Sequence, residues 1–427
     1  MMNRSLIRSA GVVAFSLYLF VAATFGSDLV ALSGNTMGTT YSIKFHAVDD
    51  AIAREPLQSK IDLRLKEIDG RMSTYQPQSE VSRFNRAAAG IWFPVSDDTA
   101  SVVAVAQDIA RKSGGAFDIT VGPLVRLWNF GAASDPTKGF VPPSAEQIRA
   151  AQATVGFERL EVRAQPPALR KSLDGLEIDL SGIAKGFAVD RLCEILQAHQ
   201  LDRYMVEIGG EVRVSGTRSD GQRWTVGVES PDRNARRLQG TVRPLNSAIA
   251  SSGDYRIYHE YDGVVYSHTI DPRSGRPIRH ELAAVTILAE DCATADALAT
   301  AVLVLGPVEG KQWAEEHGIA ALLFSRSPEG TTTTRTSHFN VPFVTDHRGN
   351  APAKFGRVLL TSIIVFAIAL VGMSIGVIVS NRRLKGSCGG LAGLKDERGK
   401  TLCDACSNPS PDCAGNDATQ KSRDRSP

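Results

Sequence analysis

Asp296 and Thr300 stand four residues apart in Ala293–Leu305 (ATADALATAVLVL), a stretch otherwise small or apolar. On a helix that spacing puts both on one face. A carboxylate on an otherwise apolar helix needs a partner, because burying it alone is costly. A hard cation held by the carboxylate, the hydroxyl and a backbone carbonyl would serve, and magnesium commonly brings substrate phosphates with it. An arginine, or a neighbouring loop capped by Asp296, would serve as well. A second candidate is Ser181–Gly186 (SGIAKG), between a strand expected at Glu177–Leu180 and a helix expected at Gly186–His199. Glycines there let the backbone approach a ligand. A helix N-terminus offers free N–H groups to an anion, and Lys185 adds a charge. The spacing does not match the standard phosphate loop, and a plain strand–helix turn with a surface lysine fits it too. A third candidate is His268 with Asp271, at the end of Val264–Ile270 and in the turn Asp271-Pro272-Arg273-Ser274-Gly275 that follows. A lone histidine is usually structural, but this one lies in the densest polar and turn-rich cluster of the chain.

The fourth candidate is made of thiols. Cys388, Cys403, Cys406 and Cys413 are separated by 14, 2 and 6 residues near the C-terminus. Four thiolates suit tetrahedral iron or zinc, and spacing alone does not separate the two metals.

The elements that must position the first three sites are mixed. Thr39–Phe45 alternates as a strand does. Leu57–Met72 has helical spacing at Leu63, Ile68 and Met72, and Thr99–Lys112 forms another helix closed by Ser113-Gly114-Gly115. A further helix starts at Ala145. Tyr204–Ile208 and Glu211–Val214 flank Gly209-Gly210 as strand, tight turn and strand. Trp224–Val228 is expected to continue that sheet. Ala248–Ser252 is a further strand, and Ala283–Ala289 a buried one.

The two ends of the chain point to a membrane. Val358–Ser380 carries no charge over 23 residues. As a helix this is long enough for the roughly 30 Å of bilayer hydrocarbon. At the other end Arg4 and Arg8 precede the apolar Gly11–Phe25, the pattern of a secretory signal, cleaved or retained as an anchor. Arg382, Arg383 and Lys385 outweigh Lys354 and Arg357 across the apolar run. The positive-inside bias therefore puts the large domain outside and the Cys-rich tail in the cytoplasm. Thiols stay reduced in that compartment.

Composition agrees. With 48 basic and 46 acidic residues the formal charge is only +2, which gives no electrostatic case for nucleic acid. Cys193 and Cys292 alone fall in the exported part, each in an apolar helical context, and are expected to be buried free thiols.

Several ordered blocks resemble the FAD:protein FMN transferases, the ApbE-like family. They are Thr36-Met37-Gly38-Thr39, Ser73-Thr74-Tyr75 with Ser79–Asn85, Phe117–Leu124, Ile178–Gly186, Gly209-Gly210, Ser252–Arg256, Ser267–Gly275 and Ala295–Thr300. The likeness covers residues 33–335. It implies an α+β fold of two lobes with FAD in a central cleft. It also implies magnesium and transfer of the FMN half of FAD to a Ser or Thr hydroxyl of exported protein segments, with release of AMP. By motif the metal ligands would be Asp296, Thr300 and the backbone carbonyl of Ala184, and His268 would stand near the pyrophosphate. Met37, Tyr75, Asn85, Asp118, Lys185 and Gly210 would line the flavin and adenine parts. Thr269 and Glu207 depart slightly from the family pattern. Asn85 lies where some relatives favour FAD hydrolysis, and a flavin-binding protein without transfer activity is the other reading.

Residues 356–413, with Gly386-Ser387-Cys388-Gly389-Gly390-Leu391 and the later cysteines, resemble the NqrM-type maturation factor of the sodium-translocating NADH:quinone reductase. This favours ferrous iron at Cys388, Cys403, Cys406 and Cys413, and acceptor subunits of that reductase as partners. The organisation expected is a signal or anchor at 1–27, the transferase domain at 33–335, a linker at 336–357, a transmembrane helix at 358–380, the tail at 381–413 and a disordered end at 414–427. The location would be the bacterial inner membrane, with the catalytic domain periplasmic.

Overall fold

The computed structural model describes residues 29–46, 54–134 and 139–346. The signal segment, the apolar run Val358–Ser380 and the four tail cysteines lie outside the described residues. All the described residues belong to the first compact unit of the chain. Among the described residues no helix is long and apolar enough to cross a membrane.

An eight-stranded sheet organises the first unit. Its strands are β1 (Leu29–Thr36), β2 (Thr39–His46), β3 (Tyr204–Ile208), β4 (Glu211–Ser215), β5 (Ser247–Gly253), β6 (Leu282–Ala289), β7 (Ala320–Ser327) and β8 (Gly330–Arg335). They lie side by side in chain order, and every neighbouring pair is antiparallel. The long excursions between strands therefore carry the rest of the molecule. The β2–β3 excursion supplies six helices, α1 (Arg54–Met72), α2 (Glu80–Arg86), α3 (Asp97–Lys112), α4 (Gly122–Leu127), α5 (Ala145–Gln152) and α6 (Ala184–Ala198). The β6–β7 excursion supplies α7 (Cys292–Leu305) and α8 (Glu309–Glu316). An antiparallel sheet with its helices gathered in insertions is an α+β architecture.

Local chemistry sets the helix starts. Ser79, Ser96, Ser144 and Asp291 each accept a backbone N–H of the first turn, and Ser144 with Gln147 completes a capping box. On α1 the buried stripe is Leu57, Ile61, Leu65, Ile68 and Met72, whereas Leu63 is 59% exposed. The expected role of Leu63 is thus corrected: Leu65 holds the inward place.

One core fills the space between the inner sheet face and α1, α3, α6 and α7, with Tyr41, Ile43, Phe45, Ile61, Phe187, Leu192 and Val302 among its members. On the outer face Trp224, Val226, Val228 and Val242 pack against Val212, Val214, Leu322 and Phe324. Trp224–Val228 therefore does not extend the main sheet. Its Val226–Val228 part lies in the strand Val226–Glu229, which belongs to a separate three-stranded sheet with Leu238–Val242 and Phe343–Thr345. That second sheet also carries the fold past residue 335, since Thr336 and Phe339 are buried and Phe343–Thr345 pairs with Leu238–Val242.

Two further expected strands differ. Glu177–Leu180 makes a single bridge, Glu177 with Val121. Beyond it the backbone of Ile178 is occupied by a side chain: Asn85 Nδ2 donates to Ile178 O at 2.9 Å, and Ile178 N donates to Asn85 Oδ1 at 2.8 Å. Val264–Ile270 breaks at His268-Thr269 into Val264–Ser267 and Ile270–Asp271, each paired with a different partner strand. Cys193 and Cys292 are buried and unbridged, as expected.

Candidate active site

Because the sheet is an antiparallel meander, its turns at Met37-Gly38 and Gly209-Gly210 and the end of β5 at Gly253 fall at the same end. α7 packs along the inner face against β5 and α6. Its N-terminus meets that of α6 so closely that a Cβ on Gly186 would stand 2.6 Å from the Cys292 carbonyl carbon and 2.9 Å from Ala293 Cα. Asp190 of α6 fastens the junction. Its carboxylate accepts the N–H groups of Cys292 (2.9 Å) and Ala293 (2.9 Å) and the Arg213 guanidinium (2.6 Å).

At this junction Asp296 is buried, and its Oδ2 accepts the Gly186 N–H at 3.1 Å. The cap expected from an anionic ligand is thus partly supplied by the protein. α6 starts at Ala184, so Ala184 and Lys185 fall in its first turn rather than before it. Lys185 Nζ lies 2.8 Å from Glu211 Oε1 and 3.8 Å from Asp296 Oδ2. Thr300, one turn beyond Asp296, has its hydroxyl 3.0 Å from that of Ser252 at the end of β5. Gly182 faces them: a Cβ there would stand 3.4 Å from Thr300 Oγ1 and 3.3 Å from the Phe117 ring. The missing side chain leaves room in front of the hydroxyl pair.

Burial dominates the electrostatics here. It raises the Asp296 carboxyl above the usual range, against the opposing Lys185 charge and the Gly186 N–H. It pushes Glu211 up to about 7, with the Asp296 charge adding to the effect and Lys185 opposing it. Burial alone would depress Lys185, but the two carboxylates outweigh it and hold the ammonium above its ordinary range. Glu211 Oε2 is sealed from solvent and has no hydrogen-bond partner.

His268 follows the Tyr258–Tyr261/Val264–Ser267 hairpin. Its backbone N–H and its ring Nδ1 both reach the Ile257 carbonyl at 3.1 Å. A carbonyl only accepts, so Nδ1 carries the proton and Nε2 the lone pair. The surrounding protein depresses the imidazole, outweighing the Ile257 carbonyl and the Asp254 charge, and Lys185 adds to the depression. A pocket of about 340 Å³ adjoins the preceding Ser267, lined also by Arg233, Asp254, Arg279, His280 and Arg326.

The remaining expected residues fall into separate places. Met37 occupies the β1–β2 turn with φ 47°. Gly210 has open space where a side chain would be, and its N–H goes to Glu207 at 2.8 Å. Tyr75 is 67% exposed. Asn85 is committed to Ile178, as described. Asp118 is buried and turned inward, bonding the N–H and hydroxyl of Thr120 at 2.8 and 2.7 Å. The structure thus gathers Ala184, Lys185, Asp296 and Thr300, and gives Asn85 and Asp118 internal partners. Sequence reasoning missed Glu211 and Ser252. Neither carried a distinguishing signal, for a polar residue after a glycine turn, as Glu211 is, or at a strand end, as Ser252 is, is commonplace.

Fold and site together define a mixed α/β protein whose polar centre is a lysine set between two buried carboxylates at the meeting of two helices. The chain belongs to the ApbE family, whose pattern matches residues 37–323. An FAD:protein FMN transferase of Vibrio cholerae is 42% identical over 329 residues, which is 77% of this chain and 97% of that protein. One from Haemophilus influenzae is 39% identical over 338 residues, 77% of this chain and 96% of its own length. Among solved structures, the flavin transferase ApbE of V. cholerae superposes with a TM-score of 0.67 at 41% identity, covering 74% of this chain and all of its own. The apo form of the Pseudomonas stutzeri flavinyl transferase ApbE gives a TM-score of 0.67 at 39% identity, over 74% of this chain and 96% of that one. Residues 377–424 match a second family, described as (Na+)-NQR maturation NqrM. That match includes all four tail cysteines.

Proposed function

We propose that this chain is a membrane-tethered FAD:protein FMN transferase acting on exported segments of membrane redox proteins. The acceptor's Ser or Thr oxygen forms a bond to the FMN-side phosphorus of FAD. The bond from that phosphorus to the bridging oxygen breaks, the hydroxyl proton passes to a base, and AMP leaves.

The observation that carries this reading is the oxygen set around Asp296. One buried carboxylate, the Thr300 and Ser252 hydroxyls and the space in front of Gly182 form a small hard-oxygen cradle. Such a donor set fits magnesium, which binds through one or two carboxylates together with substrate phosphates. Asp296, Thr300 and the Ala184 carbonyl would hold the ion. When bound it supplies charge neutralisation and orientation to the phosphate oxygens. Lys185 adds a fixed positive charge at the same helix terminus. His268, with its free Nε2 lone pair, would take the hydroxyl proton or hydrogen-bond the departing phosphate. Met37, Tyr75 and Gly210 would border the flavin and adenine parts, with Asn85 and Asp118 shaping the loops behind them. Much of phosphoryl-type transfer rests on such positioning and electrostatics.

The tail reading extends this. The second family match supports a part in maturation of the sodium-translocating NADH:quinone reductase; in this reading FMN would go onto its subunits and Cys388, Cys403, Cys406 and Cys413 would carry iron. Inner-membrane anchoring through residues 358–380, with a periplasmic catalytic domain, follows from the charge pattern around that run.

Mass spectrometry of a Thr-containing acceptor domain, incubated with the protein, FAD and magnesium, tests the activity. The expected result is a mass gain equal to one FMN less water. An unchanged acceptor with FAD merely bound would mean a storage protein. FAD split into FMN and AMP without acceptor gain would mean a pyrophosphatase.

A further inference from the structure

Lys185 has one ammonium and two buried carboxylates beside it. Glu211 holds it at 2.8 Å, while Asp296 is left 3.8 Å away. Both acids are almost sealed, with side chains 4% exposed. With both ionised, the three groups sum to one net negative charge, and only the Lys185 side chain, 28% exposed, reaches solvent appreciably. Glu211 Oε2 adds an acceptor with no donor. A buried cluster of that kind is costly unless its charge is matched.

We propose that Glu211 is a positioning residue for cation binding: by holding the Lys185 ammonium beside the β3–β4 turn, it keeps the Asp296 carboxylate open. This rests on the reading of Asp296 as a magnesium ligand. Without the Glu211 charge nothing opposes a small movement of Nζ onto Asp296. A lysine closed on Asp296 would occupy the position a cation must take. A divalent ion at Asp296 would in turn convert the net negative charge of the cluster into a positive one, suited to a pyrophosphate. The arrangement makes Lys185 the internal competitor of the metal and Glu211 the group that restrains it.

The proposal differs from a simpler one, in which Glu211 only adds negative charge that attracts the ion. A double-mutant comparison separates them. The full chain is titrated calorimetrically with Mn²⁺ or Mg²⁺ alone, without FAD, at pH 8, where Glu211 is ionised. Glu211→Gln is expected to weaken binding by about tenfold or more, the scale for residues that orient metal ligands. Glu211→Asp should retain most of the affinity. Lys185→Met should tighten binding, and adding Glu211→Gln to it should change the affinity by less than about twofold, because the competitor is gone. Equal weakening in both backgrounds, or no effect of Glu211→Gln, overturns the proposal. If Glu211→Gln alone does not fold, Lys185→Met against Lys185→Met/Glu211→Gln decides by the same criterion. Asp296→Asn guards the underlying reading. Binding that survives it removes Asp296 from the metal site, whereas binding lost with Asp296→Asn but kept with Glu211→Gln refutes only the role given to Glu211.

Discussion

Gly186 and Cys292 stand so close that no side chain fits between them. A Cβ on Gly186 would lie 2.6 Å from the Cys292 carbonyl carbon, and this is backbone, which cannot swing aside. The contact brings the α6 N-terminus to the carboxylate of Asp296. Gly186→Ala should therefore cost about 3 kcal/mol or more, beyond ordinary overpacking. Urea unfolding checks this, and a variant with wild-type stability would show that the junction is looser than described.

Asn85 serves as a substitute strand for Ile178, giving it both a donor and an acceptor. Asn85→Ala strips two partners from a buried backbone. The expected cost is about 2–3 kcal/mol, at roughly 1–1.5 kcal/mol for each hydrogen bond. Asn85→Asp should be no better, because it sets a carboxylate oxygen against the Ile178 carbonyl. Denaturation midpoints of the two variants compare directly.

Asp296→Ala is expected to remove most metal-dependent turnover. Thr300→Ala should do less harm, since a hydroxyl is a weaker ligand and water or Ser252 can take its place. Rates at limiting magnesium decide, and a wild-type rate for Asp296→Ala would sink the metal assignment.

His268 sets an acid limit. Its imidazole is depressed by the protein around it, so at pH 7 the ring is neutral in both folded and unfolded chains. Below the unfolded value of about 6.5 the unfolded chain takes up the proton first. Stability contributed by this group is therefore unchanged above that pH and falls as pH drops toward the folded value. The step that His268 contributes to the acid limb of the rate profile should have its midpoint below about 6.5, distinct from the step at about 7 expected of Glu211. In His268→Gln the lower step should vanish along with most of the rate.

Topology can be read with thiol chemistry. Asn340 is exposed, and Cys193 and Cys292 are buried. Burial pushes the Cys193 thiol up to about 12, so neither native thiol of the folded domain should react. In intact cells an impermeant reagent should label Asn340→Cys, and reach Cys403 only once the membrane is opened. The reverse pattern would overturn the export assignment.

Hydrophobic period and turn residues were enough to place α1, α3, α5, α7 and five of the eight strands of the main sheet, because those signals act within a turn or a pleat. The i, i+4 relation of Asp296 and Thr300 was legible for the same reason. Partners distant in sequence were not. Trp224–Val228 reads as one more strand of the sheet, yet what covers the outer face of β4 and β7 is decided by packing. Glu177–Leu180 looks like a strand, but at Ile178 a side chain 93 residues away takes the bonds a neighbouring strand would make. Glu211 resembles any polar residue after a glycine turn. Only the tertiary structure sets it against Lys185 from another excursion, because a charge is matched through space and the chain order holds no record of that distance.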